Sequence, residues 1–243
     1  MNRINQILGK YSVGRVLDLG CGRGPFISIL KENLKGYKEI IGIDTNEEML
    51  KIAKENHTEE NIKFLNIDGN SMDFEDNSFD VVCISNSLHH VPNQREILDE
   101  MNRVLKPKGL FIIQEMFCDN QSKKQLSHVK LHHLNAEIDI IEGRYHNKTY
   151  KKQEIVDIAK DLGLQIIEMT EHNTHKEQEK RVSPKEERET LDSIFNNFSE
   201  KIETMKEHSK YQYLIDSLNK IKDDQYDVGF FTATELLIVC RKE

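Results

Sequence analysis

The chain has 243 residues, 37% of them hydrophobic, enough to bury a sizeable core in one α/β domain with insertions. Its 34 basic and 42 acidic residues leave a net charge of -8, a field that repels phosphate backbones and argues against nucleic acid as a partner. Neither a signal peptide nor a membrane span is expected, because no long apolar run occurs. Cys21, Cys83, Cys118 and Cys240 are scattered without a C-x-x-C pair, as suits reduced thiols in a cytoplasmic protein.

From residue 15 to 116, short apolar runs alternate with segments of helical period. The runs "RVLDL", "EIIGID", "IKFLNI", "FDVVCIS" and "LFIIQEM" are rich in β-branched residues and do not alternate, which suits strands buried on both faces. Between them, "PFISILKENL", "NEEMLKIAKEN" and "NQREILDEMNRVLK" read as helices. The last places Ile97, Met101, Val104 and Leu105 on one face and stops at Lys106-Pro107-Lys108-Gly109. Thr45 and Glu48 are spaced as a capping box for the second helix. This alternation predicts a doubly wound, parallel, Rossmann-like sheet.

Beyond residue 117 the rhythm breaks. Residues 118–150 are too long for an ordinary loop and carry His128, His132, His133 and His146. "KKQEIVDIAKDLG" resumes the helical pattern, and "LQIIEMT" and "ATELLIVC" read as two last strands. Between those strands, Ser183, Pro184 and Glu186 mark a strong helix start. Leu191, Ile194, Phe195, Phe198, Ile202 and Met205 continue that helix, and Tyr211, Leu214, Ile215, Leu218 and Ile221 predict a second. Residues 1–243 are thus read as a single domain with two insertions. Segment 118–150 is a candidate acceptor site, and 174–226 is a helical hairpin serving as a lid or as a packing or homodimer element.

Gly20, Gly22 and Gly24 separate the first strand from the first helix, where a tight turn or close approach to a ligand needs residues without Cβ. A dinucleotide fingerprint would set its third glycine where Pro25 stands. Asp18, two residues before the first glycine, would repel a pyrophosphate but could hold an ammonium. Asp44 and Asp68 follow the next two strands, at the edge where such sheets bind ligands. There they suit ribose hydroxyls and an exocyclic adenine amine. Ammonium, ribose and adenine together outline S-adenosylmethionine.

The stretches "VLDLGCGRG", "IIGIDTNEEML", the acid of "NIDGNSMDF", "DNSFDVVCISNSLHHV" and "EMNRVLKPKGLFIIQE" resemble the class I S-adenosylmethionine-dependent methyltransferases, especially the small-molecule branch akin to the ubiquinone/menaquinone methyltransferases. The likeness covers the first half of the chain and, by pattern, the last two strands. It implies a seven-stranded sheet with an antiparallel last strand. It also places Gly20 and Gly22 beneath the methionine part of S-adenosyl-L-methionine, Asp44 on the ribose, Asp68 and Gly69 beside the adenine, and the Ser85 backbone along the cofactor. Cys21 and Thr45 adjoin these positions and are grouped with them.

Transfer from a sulfonium needs alignment first, and a base only when the acceptor must lose a proton. His89 and His90, after the fourth strand, are the candidate bases, though this stretch is equally a structural turn. In the 118–150 segment His132, His133, Asp139, Tyr145 and His146 are candidate contacts to a small polar acceptor. His128 and His132 have the spacing of metal ligands, but without an H-E-x-x-H pattern no metal is assigned. Two other readings stay open: a protein that senses or sequesters S-adenosylmethionine without catalysis, and a nicotinamide-dependent dehydrogenase, against which Asp18 and Pro25 argue.

Overall fold

The computed structural model describes residues 3–173 and 183–243, so residues 174–182 of the expected hairpin lie outside the described residues. The chain divides into two compact units. One comprises Met1–Glu115, Gln153–His172 and Leu236–Glu243; the other comprises Met116–Lys152 and Asn173–Glu235.

The first unit is built on a seven-stranded sheet of β1 (Arg15–Leu19), β2 (Glu39–Asp44), β3 (Ile62–Asn66), β4 (Phe79–Ser85), β5 (Leu105–Met116), β6 (Gln165–His172) and β7 (Glu235–Arg241), in the order β3-β2-β1-β4-β5-β7-β6. The pairs β1–β2, β2–β3, β1–β4 and β4–β5 are parallel. β7 is antiparallel to its neighbour. The Lys108 N–H donates to the Lys242 carbonyl (2.8 Å), and the Lys242 N–H donates to the Gly109 carbonyl (3.1 Å). The central strands β1, β2, β4 and β7 are buried almost end to end, while β3 alternates at one edge and β6 is largely exposed at the other. Continuous apolar runs belong to strands covered on both faces, and edge strands need only one apolar face.

The helices α1 (Arg3–Leu8), α2 (Pro25–Asn33), α3 (Glu47–Asn56), α4 (Gln94–Val104) and α6 (Lys152–Asp161) belong to this unit. From α2, Phe26, Ile27 and Leu30 join Ile4, Leu8, Val16, Ile40, Phe64, Val81 and Leu237 in one apolar core.

Two local expectations are corrected. The N-cap of α3 is Asn46 rather than Thr45: its side chain accepts from the backbone N–H of Glu48 and of Met49, and the helix starts one residue later than the spacing suggested. The helix read through Lys106 ends at Val104, so Leu105 belongs to β5, and the stop Lys106-Pro107-Lys108-Gly109 lies within that strand. It forms an irregular stretch inside β5, where the partner of Phe79 is Leu105 and that of Val81 is already Leu110. Lys108 takes a positive φ of 65° there.

The second unit is helical. α5 (Lys123–Ile141) starts at a reciprocal capping box of Ser122 and Gln125, α7 (Pro184–Glu203) at another of Ser183 and Glu186, and α8 (Tyr211–Val228) follows. The apolar stripes of α7 and α8 close on α5: Leu131, Leu134 and Ile138 meet Leu191, Phe195, Ile202, Leu214, Leu218 and Ile221. The two insertions, far apart in sequence, therefore share one core.

Candidate active site

β1 delivers the chain into a turn in which Gly20, Gly22 and Gly24 all have positive φ (65°, 51° and 83°). A Cβ on Gly20 would lie 2.6 Å from the Cβ and Oγ of Ser87, whereas one on Gly22 would meet nothing within 4 Å. The first glycine is required by packing, and the second borders open space. The Ser87 hydroxyl donates to the carbonyls of Gly20 (2.8 Å) and Ser85 (3.1 Å), clasping the ends of β1 and β4. Gly24 caps α2 in the left-handed conformation, and the His57 ring nitrogen sits 2.9 Å from its carbonyl. Neither Ser87 nor His57 carries a sequence signal, because each acts across more than thirty residues.

The acids differ in their surroundings. Asp44, half-buried at the end of β2, accepts the Gly22 N–H on Oδ2 (2.9 Å) and the Asn46 N–H on Oδ1 (2.9 Å). These bonds hold the carboxylate in place against the glycine turn and leave each oxygen a further lone pair. Asp18 lies within β1 and is 1% exposed. The Cys83 thiol approaches its Oδ1 at 3.5 Å, but its buried Oδ2 has no hydrogen-bond partner among the described residues. Burial pushes the Asp18 carboxyl up to about 7; the Cys83 contact opposes this and the charge of Asp44 adds to it. The buried thiols of Cys21 and Cys83 are likewise raised, chiefly by burial and further by Asp18.

Asp68 is exposed, and its Oδ1 accepts from the Asn70 backbone (2.9 Å) and side chain (2.7 Å), which closes a local turn. Gly69 is buried behind it, with no room for a Cβ beside Leu19. Thr45 is exposed, and Ser85 is half-buried at the end of β4.

His89 and His90 lie in a single 3-10 turn, Leu88–His90, yet face different surroundings: His89 is 1% exposed and His90 is open to solvent. The Nδ1 of His89 is 2.7 Å from Oε1 of Glu115, whose Oε2 accepts the Leu88 N–H (3.1 Å). Glu115, fully buried on β5, went unnoticed in the sequence, where it is one acid in a strand run. The contact puts the proton of a neutral His89 on Nδ1 and leaves a lone pair on Nε2. Next to Glu115, the Gln114 Oε1 accepts from His172 Nε2 (3.1 Å), an imidazole that burial holds down to about 4.

In the second unit, Asp139, His146 and His132 come together. The Nδ1 of His146 is 2.6 Å from Oδ2 of Asp139, and its Nε2 is 3.1 Å from Nε2 of His132. Asp139 also accepts from Asn135 (2.9 Å), Lys201 (3.0 Å) and Arg144. Burial pushes this carboxyl up, but the bonds from His146, Arg144 and Lys201 outweigh it and hold it well below the usual carboxylate range. His133 turns to the Thr149 hydroxyl (2.8 Å), and Tyr145 is exposed. His128 accepts the Ala233 N–H (3.0 Å), so the pair four residues apart divides between separate partners. Lys201, on α7, had no sequence signal among the other charges of its helix.

The sheet order, the glycine turn and the acids at neighbouring strand ends are now in place. Residues 17–113 match the family model described as "Methyltransferase domain", and the seven-stranded sheet has the Rossmann-like methyltransferase fold. Among particular relatives, it is 39% identical over 114 residues to the demethylmenaquinone methyltransferase of Staphylococcus aureus (strain MRSA252), a match covering 46% of this chain and 47% of that one. The chain thus spans about half the length of the relatives it matches in sequence. Solved structures with the same fold include the YcgJ protein of Bacillus subtilis, with a TM-score of 0.58 at 20% identity over 99% of this chain and 97% of that one. Another is the Haemonchus contortus phosphoethanolamine N-methyltransferase 2 in complex with phosphomonomethylethanolamine and S-adenosylhomocysteine, with a TM-score of 0.55 at 20% identity, covering 98% of this chain and 51% of that one. A third is the [4+2]-cyclase SpnF, with a TM-score of 0.58 at 16% identity, covering 99% and 80%. The cyclase is a reminder that this fold alone does not define a reaction. Among the described residues no helix is long and apolar enough to cross a membrane.

Proposed function

We propose that this chain is a methyltransferase that binds S-adenosyl-L-methionine and transfers its methyl group to a small organic acceptor. One observation carries the reading: among the described residues, Asp18 keeps a buried carboxylate oxygen without a partner, two residues before a glycine turn that Asp44 holds in place. An unsatisfied buried oxygen is costly, and an ammonium would satisfy it. The residues present fit the cofactor. Asp18 takes the amino group, the Gly20–Gly22 turn with Cys21 takes the methionine portion, and Asp44 takes the ribose hydroxyls on its remaining lone pairs. Asp68, Gly69, Thr45 and the Ser85 backbone border the nucleoside.

When bound, the cofactor supplies an electrophilic methyl group on a sulfonium. The protein's part is to align and desolvate the acceptor, and His89 is the group to remove its proton. Glu115 fixes the His89 tautomer through Nδ1, which makes Nε2 the basic nitrogen. His90 is exposed and His89 is buried, so the base role is given to His89. The -8 net charge suits a small-molecule acceptor rather than nucleic acid, and four free cysteines, three of them buried, suit a reducing cytoplasm.

Calorimetry with S-adenosylhomocysteine tests the cofactor site. Asp44→Ala removes charge-assisted hydrogen bonds worth about 1.5–3 kcal/mol, so the Kd should rise roughly 10- to 100-fold; unchanged affinity refutes the assignment. Incubating the protein with methyl-labelled cofactor and a metabolite extract separates an enzyme, which labels an acceptor, from a sensor, which labels nothing.

A further inference from the structure

The helical unit contains a polar cluster that methyl transfer, as proposed above, leaves unused. The Nε2 atoms of His132 and His146 face each other at 3.1 Å, with the rings inclined at 71°. We propose that these two nitrogens bind a divalent transition-metal ion, with Asp139 behind His146 as the carboxylate that orients it. Two imidazole nitrogens on one tetrahedral zinc, each about 2.0–2.1 Å from the metal, lie about 3.3 Å apart, close to the separation observed. Asp139 receives the Nδ1 proton of His146 at 2.6 Å, the arrangement by which ligating histidines are given their tautomer and ring orientation. The lone pair of Nε2 is thereby directed at the space shared with His132.

The backbone holds this geometry from both sides. His132, Asn135 and Asp139 are on α5, and Asn135 donates to Asp139 (2.9 Å). The chain after α5 folds back, with the Arg144 N–H donating to the Asp139 carbonyl (2.8 Å), and so returns His146 to the helix. Two cations stand nearby, but each is balanced. Arg144 pairs with Asp139 and Glu142, and Lys201 pairs with Asp139 (3.0 Å) and Glu142 (3.7 Å). Summed over Arg144, Lys201, Asp139 and Glu142, no net positive charge opposes an incoming ion. Asp139, engaged by four donors, orients rather than ligates. Imidazole ligands select zinc, cobalt, nickel or copper over magnesium and calcium.

The experiment titrates the full chain, without a histidine tag and stripped with chelator, with cobalt(II) while recording its visible absorption, then displaces the cobalt with zinc. One equivalent of cobalt should bind and develop the intense bands of low coordination. His132→Ala and His146→Ala should each lose at least tenfold in affinity, and Asp139→Asn about tenfold to a hundredfold. S-adenosylhomocysteine affinity, measured on the same samples, serves as the control for folding. Absence of a cobalt complex in the wild-type chain overturns the proposal without recourse to any variant. So does wild-type cobalt affinity in both histidine variants. Either result would mean that the two rings merely share a hydrogen bond that ties residues 142–150 to α5.

Discussion

Asp18 illustrates how one buried residue can report on both stability and binding. Its folded-state carboxyl is raised to about 7 from a value near 4 in the unfolded chain. The native state therefore holds a proton that the unfolded state has lost across that window, so this group's contribution to stability is full below pH 4 and is lost as the pH rises through 7. Urea unfolding of the ligand-free protein should show that decline between pH 4 and 7, and Asp18→Asn should flatten it. An ammonium favours the ionised carboxylate, so S-adenosylhomocysteine should bind more tightly at pH 8 than at pH 6, with the variant insensitive to the change. His89 offers a second test at this scale. In the wild-type chain nitrogen-proton NMR should find the proton on Nδ1. Glu115→Gln, which can present an amide donor to that nitrogen, should shift the ring toward the Nε2–H form and lower kcat with little change in KM. An unaltered tautomer would remove Glu115 from its positioning role.

At the scale of elements, the βα turn after β1 is held by both backbone conformation and packing. Gly20 is at φ 65°, and any Cβ there would collide with Ser87. Gly20→Ala combines about 1–2 kcal/mol of left-handed strain with displacement of the clasp between β1 and β4. The variant should melt several degrees lower and bind S-adenosylhomocysteine more weakly; a melting temperature within a degree of the wild type would show that the turn can adjust. This turn was legible because glycine spacing is a local backbone property. The cap of α3 was misread for an equally local reason: Thr45 and Asn46 are both good caps, and the choice fell to Asn46, whose own N–H is held by Asp44. The helix pair after residue 183 was legible in full, since its capping box and apolar period are properties of neighbours in sequence. That its stripe would close on α5 was not, because α5 lies some fifty residues upstream.

For the whole molecule, the question is whether two compact units and a sheet site respond to one ligand. S-adenosylhomocysteine at a hundred times its Kd should stabilise the native state by about 2.7 kcal/mol, which for a chain of this size raises the Tm by about 5–10 °C. NAD should produce no shift, and a shift with NAD alone would revive the dehydrogenase reading. The seven-stranded doubly wound sheet, its antiparallel last strand and the acids near neighbouring strand ends were visible through buried runs, turn residues and a family likeness, whereas the strand order came only from the structure. The pairings that qualify those acids were not visible. Asp18 with Cys83 and His89 with Glu115 join residues 65 and 26 positions apart, and Lys201 reaches Asp139 from 62 positions away.

The sequence by itself determined the class of fold, the glycine turn and the set of acids, because these follow from short-range periodicity and from which residues tolerate a positive φ. Only the tertiary structure decided which of those groups are buried, satisfied or left waiting. It separated His89 from His90, spent one oxygen of Asp68 on its own turn, and left Asp18 with an open valence. The reason is physical: a side chain's chemistry depends on its solvation and its partners, and the chain supplies both from residues far away in sequence.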